Sequence, residues 1–158
     1  MATTKKENEL AAVGISIAAG CKPCTDYHMK AVRQAGASDG EIRQAVQDAV
    51  SLRNAATGVM EKYGLSHLGE ADTEQAFVPP RDRVAELVEL GAAFAVNCVS
   101  SLENCIKSAK ATGVTDEDIL EISKLATFIK GRAASHVDRQ ITALEQGIAR
   151  VHCRSASI

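Results

Sequence analysis

A chain of 158 residues, 46% hydrophobic and 24% charged, has the make-up of one ordinary globular domain or two small ones. Its formal net charge of −2 comes without a basic stripe, which excludes a dedicated nucleic-acid binder, and no apolar run approaches the length of a membrane-spanning helix. The five cysteines are odd in number and no apolar leader follows Met1, so the expectation is a cytoplasmic protein rather than a secreted disulfide scaffold.

In chain order, a first helix is predicted from about Thr4 to Ala19, stopped by Gly20. A second starts at Lys22-Pro23, where proline suits the first turn, and ends at Gly36. Ser38 then reads as an N-cap with Glu41 three residues on, a capping box that opens a third helix to about Tyr63. Residues 65–80, which hold Ser66, His67, Gly69 and Asp72 and end in Pro79-Pro80, read as a linker. A fourth helix is predicted from Pro80-Arg81, and Thr115 with Asp118 repeats the cap signal before a long helix to about Ile148. Residues 150–158 are left as a tail.

The two halves repeat. Shifted by 77 residues, Glu9, Leu10, Gly14, Ala18, Cys21, Lys30, Gly36, Asp39, Ile42, Ala49 and Ala56 fall on identical residues from Glu86 to Ala133, eleven matches across 51 ungapped positions. Average composition would give roughly three or four. The chain is therefore expected to be all-α: a first three-helix copy over 1–64 and a second over 81–149, packed as one unit. Gly14 and Gly91 recur inside matching helices at a cost of ~1 kcal/mol each relative to Ala, so close helix packing is their expected reason.

Chemistry concentrates in Cys21-Lys22-Pro23-Cys24-x-x-x-His28. Positions three and four apart share one helical face, which aligns both thiols with the imidazole. The positive end of the helix favours thiolate, the nucleophilic form, and a histidine one turn away can move the thiol proton. Glu9 lies about as far before the Gly20 turn as His28 lies after it. At ~1.5 Å per residue, an antiparallel hairpin brings the carboxylate level with the ring it would orient. A Cys-x-Pro-Cys pair can cycle between dithiol and disulfide. The competing readings are a metal site, which needs further ligands from Cys98, Cys105, His136 or Glu9, and an inert helix start. In the second copy Ser101 and Cys105 stand where Cys24 and His28 stand in the first, so that copy reads as a structural pseudo-site. His67 is expected in solvent, and His136, which shares a face with Arg132, is assigned to packing.

Glu9, Cys21, Cys24 and His28, followed by the Ala31–Ser38 segment, resemble the AhpD-like branch of the carboxymuconolactone decarboxylase family, well over residues 8–58 and in degenerate form over 85–135. The resemblance implies an all-helical fold assembled as homotrimers or hexamers. It implies reduction of hydroperoxides or disulfides with Cys24 as attacking thiol, Cys21 as its partner, and His28 with Glu9 as proton relay. It implies no bound cofactor or metal but an external thiol reductant protein as electron donor. For a two-copy chain, a trimer mimicking six single units is expected. Peroxidase members carry a second histidine between the cysteines; here that position is Pro23, which favours disulfide exchange. The alternatives are a decarboxylase-like enzyme of the wider family, which needs no cysteine pair, and a non-catalytic helical scaffold.

Overall fold

In the computed structural model, which describes residues 2–73 and 76–155 with side chains through Ile148, the chain folds as six helices. They are α1 (Lys5–Ala18), α2 (Lys22–Gln34), α3 (Asp39–Ser66), α4 (Arg83–Ala95), α5 (Val99–Ala111) and α6 (Asp116–Ser155). No strand occurs among the described residues. The predicted all-α class with two three-helix copies is what the chain adopts.

Local chemistry sets most boundaries. Thr4 and Ser38 each close a capping box, with Glu7 and Glu41 respectively. Thr115 and Asp118 exchange the same pair of bonds at 3.1 Å to open α6. Cys21 is itself the N-cap of α2: its sulfur accepts the Cys24 amide at 3.2 Å. Three boundaries depart from the sequence reading. Helix α3 continues to Ser66, into the segment read as linker. Helix α4 begins at Arg83 rather than Pro80-Arg81, because the Asp82 side chain accepts the Ala85 amide and fixes the N-cap there. Helix α6 runs through Ser155, past the expected end near Ile148. Residues 156–158 of the predicted tail lie outside the described residues.

Helices α1 and α4, the first of each copy, are buried side by side at the centre, with Leu10, Val13, Ile15, Leu87, Val88 and Leu90 in one continuous core. Their close approach is the reason for the recurrent glycines. A Cβ at Gly14 would meet Val88 Cγ1 at 2.7 Å, and one at Gly91 would meet Ile15 Cγ1 at 2.6 Å. Around this centre the contacts of the copies correspond. Lys6 pairs with Glu41 at 2.8 Å, and at the equivalent positions Arg83 pairs with Asp118 at 3.1 Å. Arg53 donates to the Ile17 carbonyl at 3.2 Å, and Lys130 to the Phe94 carbonyl at 3.1 Å. The copies are thus interlocked, α1 lying against α6 and α4 against α3.

Candidate functional site

The turn between α1 and α2 carries the first elements of the site. Gly20 adopts a left-handed φ of 69°, which lets the chain reverse in one residue and places Cys21 at the head of α2. Asn97 takes the same conformation, φ 59°, at the equivalent place in the second copy. Asparagine is among the few side-chain residues that accept it readily.

Cys21 and Cys24 form a disulfide, with their Cα atoms 5.3 Å apart. Both residues are buried, yet Cys21 lines a groove of about 740 Å³ that opens to solvent. On the same buried face of α2, His28 Nδ1 and Glu9 Oε2 lie 2.9 Å apart, as the hairpin count expects. With the carboxylate accepting the Nδ1 proton, Nε2 is left as the basic nitrogen. Tyr27 stands edge-on to the ring at 5.0 Å.

The residue that sequence reasoning misplaced is His136. A donor nitrogen of its ring, Cys21 Sγ and Cys24 Sγ all lie within 4.8 Å of one another. That three-way group does not include His28. His136 belongs to α6 and, with Lys130, Ala133 and Val137, forms the far wall of the groove opposite the Gly20–Pro23 turn. The sequence assigns it to packing; the structure sets it beside the sulfurs. The duplication held the signal. Because the copies interlock, the long third helix of one borders the cysteine turn of the other, and the counterpart of His136 in α3 is an ordinary Val59.

The equivalent groove of the second copy shows what the first would be without its chemistry. It is lined by Arg53, Ala56, Thr57, Met60 and Glu61 of α3 and by Val96, Asn97 and Cys98. Cys98 is a free thiol here, accepting a hydrogen bond from the Ser101 hydroxyl at 3.1 Å. Burial pushes its pKa up, but the bonds from Ser101 and Ser100 outweigh that and hold it below the usual thiol value. Glu86, the counterpart of Glu9, is fully buried and accepts from Ser108 at 2.8 Å and Thr112 at 3.3 Å. Cys105, in the place of His28, is pushed up to about 12 by burial and by the nearby carboxylates of Glu89 and Glu86. It stays a neutral thiol at any physiological pH and relays no proton.

Residues 2–60 match the model of the carboxymuconolactone decarboxylase family. No curated protein and no solved structure matches the chain. The matched segment spans α1, α2 and most of α3, and so contains Glu9, Cys21, Cys24 and His28 but not His136.

Proposed function

We propose, on the premise that the chain belongs through residues 2–60 to the carboxymuconolactone decarboxylase family, that it is a dithiol–disulfide oxidoreductase of the AhpD-like kind. The observation that supports this reading most is the Cys21–Cys24 disulfide at the N-terminus of α2 with the His136 imidazole beside both sulfurs, while His28, one turn further along α2, is paired with Glu9. The fully reduced pair is the electron donor to substrate. The Cys21 sulfur, as N-cap, receives an amide hydrogen bond and the positive end of the helix dipole, both of which favour thiolate.

For a disulfide substrate, one thiolate attacks a substrate sulfur and breaks the substrate S–S bond. The first half leaves as a thiol after taking a proton from a neighbouring imidazolium. The second cysteine loses its proton to the imidazole and attacks the mixed disulfide. The second half then leaves, and Cys21–Cys24 closes. Two electrons pass from the protein to the substrate. A hydroperoxide would oxidise one cysteine to a sulfenic acid and release an alcohol, and the partner thiol would then expel water. An external thiol donor, cytoplasmic on the expectation above, reopens the disulfide. The resemblance gives the attack to Cys24; a substrate arriving through the groove meets Cys21, the member of the pair that lines it.

The test is single-turnover oxidation of the pre-reduced protein by a small disulfide and by a hydroperoxide, followed by alkylation and intact mass. Wild type should lose two alkylatable thiols per chain, both in the peptide containing Cys21 and Cys24. Cys24→Ser should trap a mixed disulfide on Cys21. Trapping only in Cys21→Ser would return the attack to Cys24. Loss of no thiols would overturn the redox reading, and a lactone or decarboxylation activity that survives both substitutions would favour the cysteine-independent branch.

A second reading has one observation behind it. When reduced, the two thiolates and His136 would present three donors close enough to hold a soft divalent ion such as Zn²⁺ with a fourth position open. Cobalt(II) titration of the reduced protein, with a thiolate charge-transfer band lost in His136→Ala, would support it.

A further inference from the structure

The groove over the disulfide has a charge pattern that its counterpart in the other copy lacks. Its lining includes Lys22 from the cysteine turn and Lys130, His136 and Arg139 from α6, and no aspartate or glutamate among the described residues. The nearest acidic neighbours in sequence, Asp26 and Asp138, are not part of the lining. The counterpart groove balances Arg53 with Glu61. Lys130 is also held in place without a carboxylate. It donates to the Phe94 carbonyl and to Asn97 Oδ1, and stands 5.1 Å from the centre of the Phe94 ring. No carboxylate among the described residues pairs with it, and it lies in the lining of the groove that Cys21 shares.

We infer that the α6 wall makes this groove a recognition site for an anionic disulfide, one carrying carboxylates on both sides of its S–S bond. The inference rests on the redox reading above and names its substrate class. The S–S bond of such a molecule meets the Cys21–Cys24 pair while its carboxylates face Lys22 on one side and Lys130 with Arg139 on the other. The second copy, lacking a dithiol of its own, thereby supplies the specificity of the first. Steering by three cations around an open groove acts mainly on the rate of encounter and fades with salt.

The test measures oxidation of the pre-reduced full-length protein by 3,3′-dithiodipropionate, by bis(2-hydroxyethyl) disulfide and by cystamine, which are anionic, neutral and cationic. Each rate is divided by that of free dithiothreitol with the same disulfide, which removes intrinsic reactivity. At low ionic strength the normalised anionic rate should exceed the cationic one by about tenfold or more, and the ratio should shrink as salt is raised. Lys22→Glu with Arg139→Glu should bring the ratio below one, and Arg139→Gln alone should lower it part of the way. Equal normalised rates in wild type, or a ratio that the substitutions leave unchanged, overturn this inference while leaving the redox reading intact. A wild-type protein oxidised by none of the three overturns both.

Discussion

The imidazole beside the disulfide, His136, and the one further along α2, His28, are held in different ways, and that difference decides what each can do. His28 is tied through Nδ1 to Glu9 and sits buried on the α2 face. His136 lies half-buried, with a ring nitrogen within 4.8 Å of both sulfurs. His136→Ala should slow oxidation of the reduced protein by a small disulfide about 100-fold or more at pH 7, the low end of the roughly 10²–10⁴-fold that a general acid–base group contributes. The far-UV spectrum and melting temperature should stay unchanged. Equal rates in variant and wild type would make that ring a bystander. A second residue prediction concerns Glu89, which lines a separate pocket with Asp48, Arg81 and Ser101. Burial first, then the carboxylates of Asp48 and Glu86, push its pKa up to about 7 against the pull of Arg81. Between pH ~4.5 and ~7 the folded chain keeps a proton that the unfolded chain has lost, so this carboxyl makes stability fall as pH rises through that window. Glu89→Gln should remove that part of the slope, and its stability relative to wild type should be greater at pH 8 than at pH 5 by about 1 kcal/mol, allowing for solvent screening. Urea midpoints at the two pH values check it; a variant-to-wild-type difference independent of pH contradicts it.

At the scale of elements, the glycines separate two effects that the sequence shows as one. Gly91 and Gly64 both lie inside helices, where alanine gains up to ~1 kcal/mol in propensity. A Cβ at Gly64 meets nothing within 4 Å, whereas one at Gly91 meets Ile15 Cγ1 at 2.6 Å in a fully buried contact between α1 and α4. Gly64→Ala should therefore stabilise by about 0.5–1 kcal/mol, and Gly91→Ala should destabilise by about 1–3 kcal/mol through overpacking. Thermal melts of the two variants moving in the same direction would count against the interlocked α1–α4 packing. The recurrence of Gly14 and Gly91 made close packing legible from sequence. Helix starts were legible where a cap side chain reads three residues ahead, as at Ser38 and Thr115, and were misread where Pro79-Pro80 drew attention from Asp82. The end of α6 was not legible because no glycine or proline interrupts the residues after Ile148. The Glu9–His28 bond was legible because a hairpin between adjacent helices can be counted. The His136 contact was not, because it depends on how two copies interlock, and spacing along one helix carries no information about that.

The molecule as a whole is two copies that divide the labour: one keeps the dithiol, the other lends its long helix as a wall. That helix also extends beyond the body. From Val137 to Ile148 every residue of α6 is exposed, and beyond the groove Ile141, Leu144 and Ile148 recur at three- and four-residue spacing with exposures of 53%, 62% and 52%. Such spacing suits helix-to-helix packing between chains, so the homotrimer expected from the resemblance should bury this stripe. Light scattering on a sizing column should give a mass near three times 16.7 kDa for wild type, and Ile141→Glu with Leu144→Glu should shift it toward one. A wild-type monomer contradicts that assembly while leaving the disulfide chemistry untouched. On the proposed function, Cys21 and Cys24, alone among the described cysteines, open and close reversibly during turnover. Peptide mapping with isotopically distinct alkylating agents, before and after one equivalent of disulfide substrate and again after a thiol donor, measures it most directly. The Cys21–Cys24 peptide should switch completely between the two labels in both directions while Cys98 and Cys105 keep theirs. A pair that retains one label throughout, or a switch centred on Cys98, would contradict it.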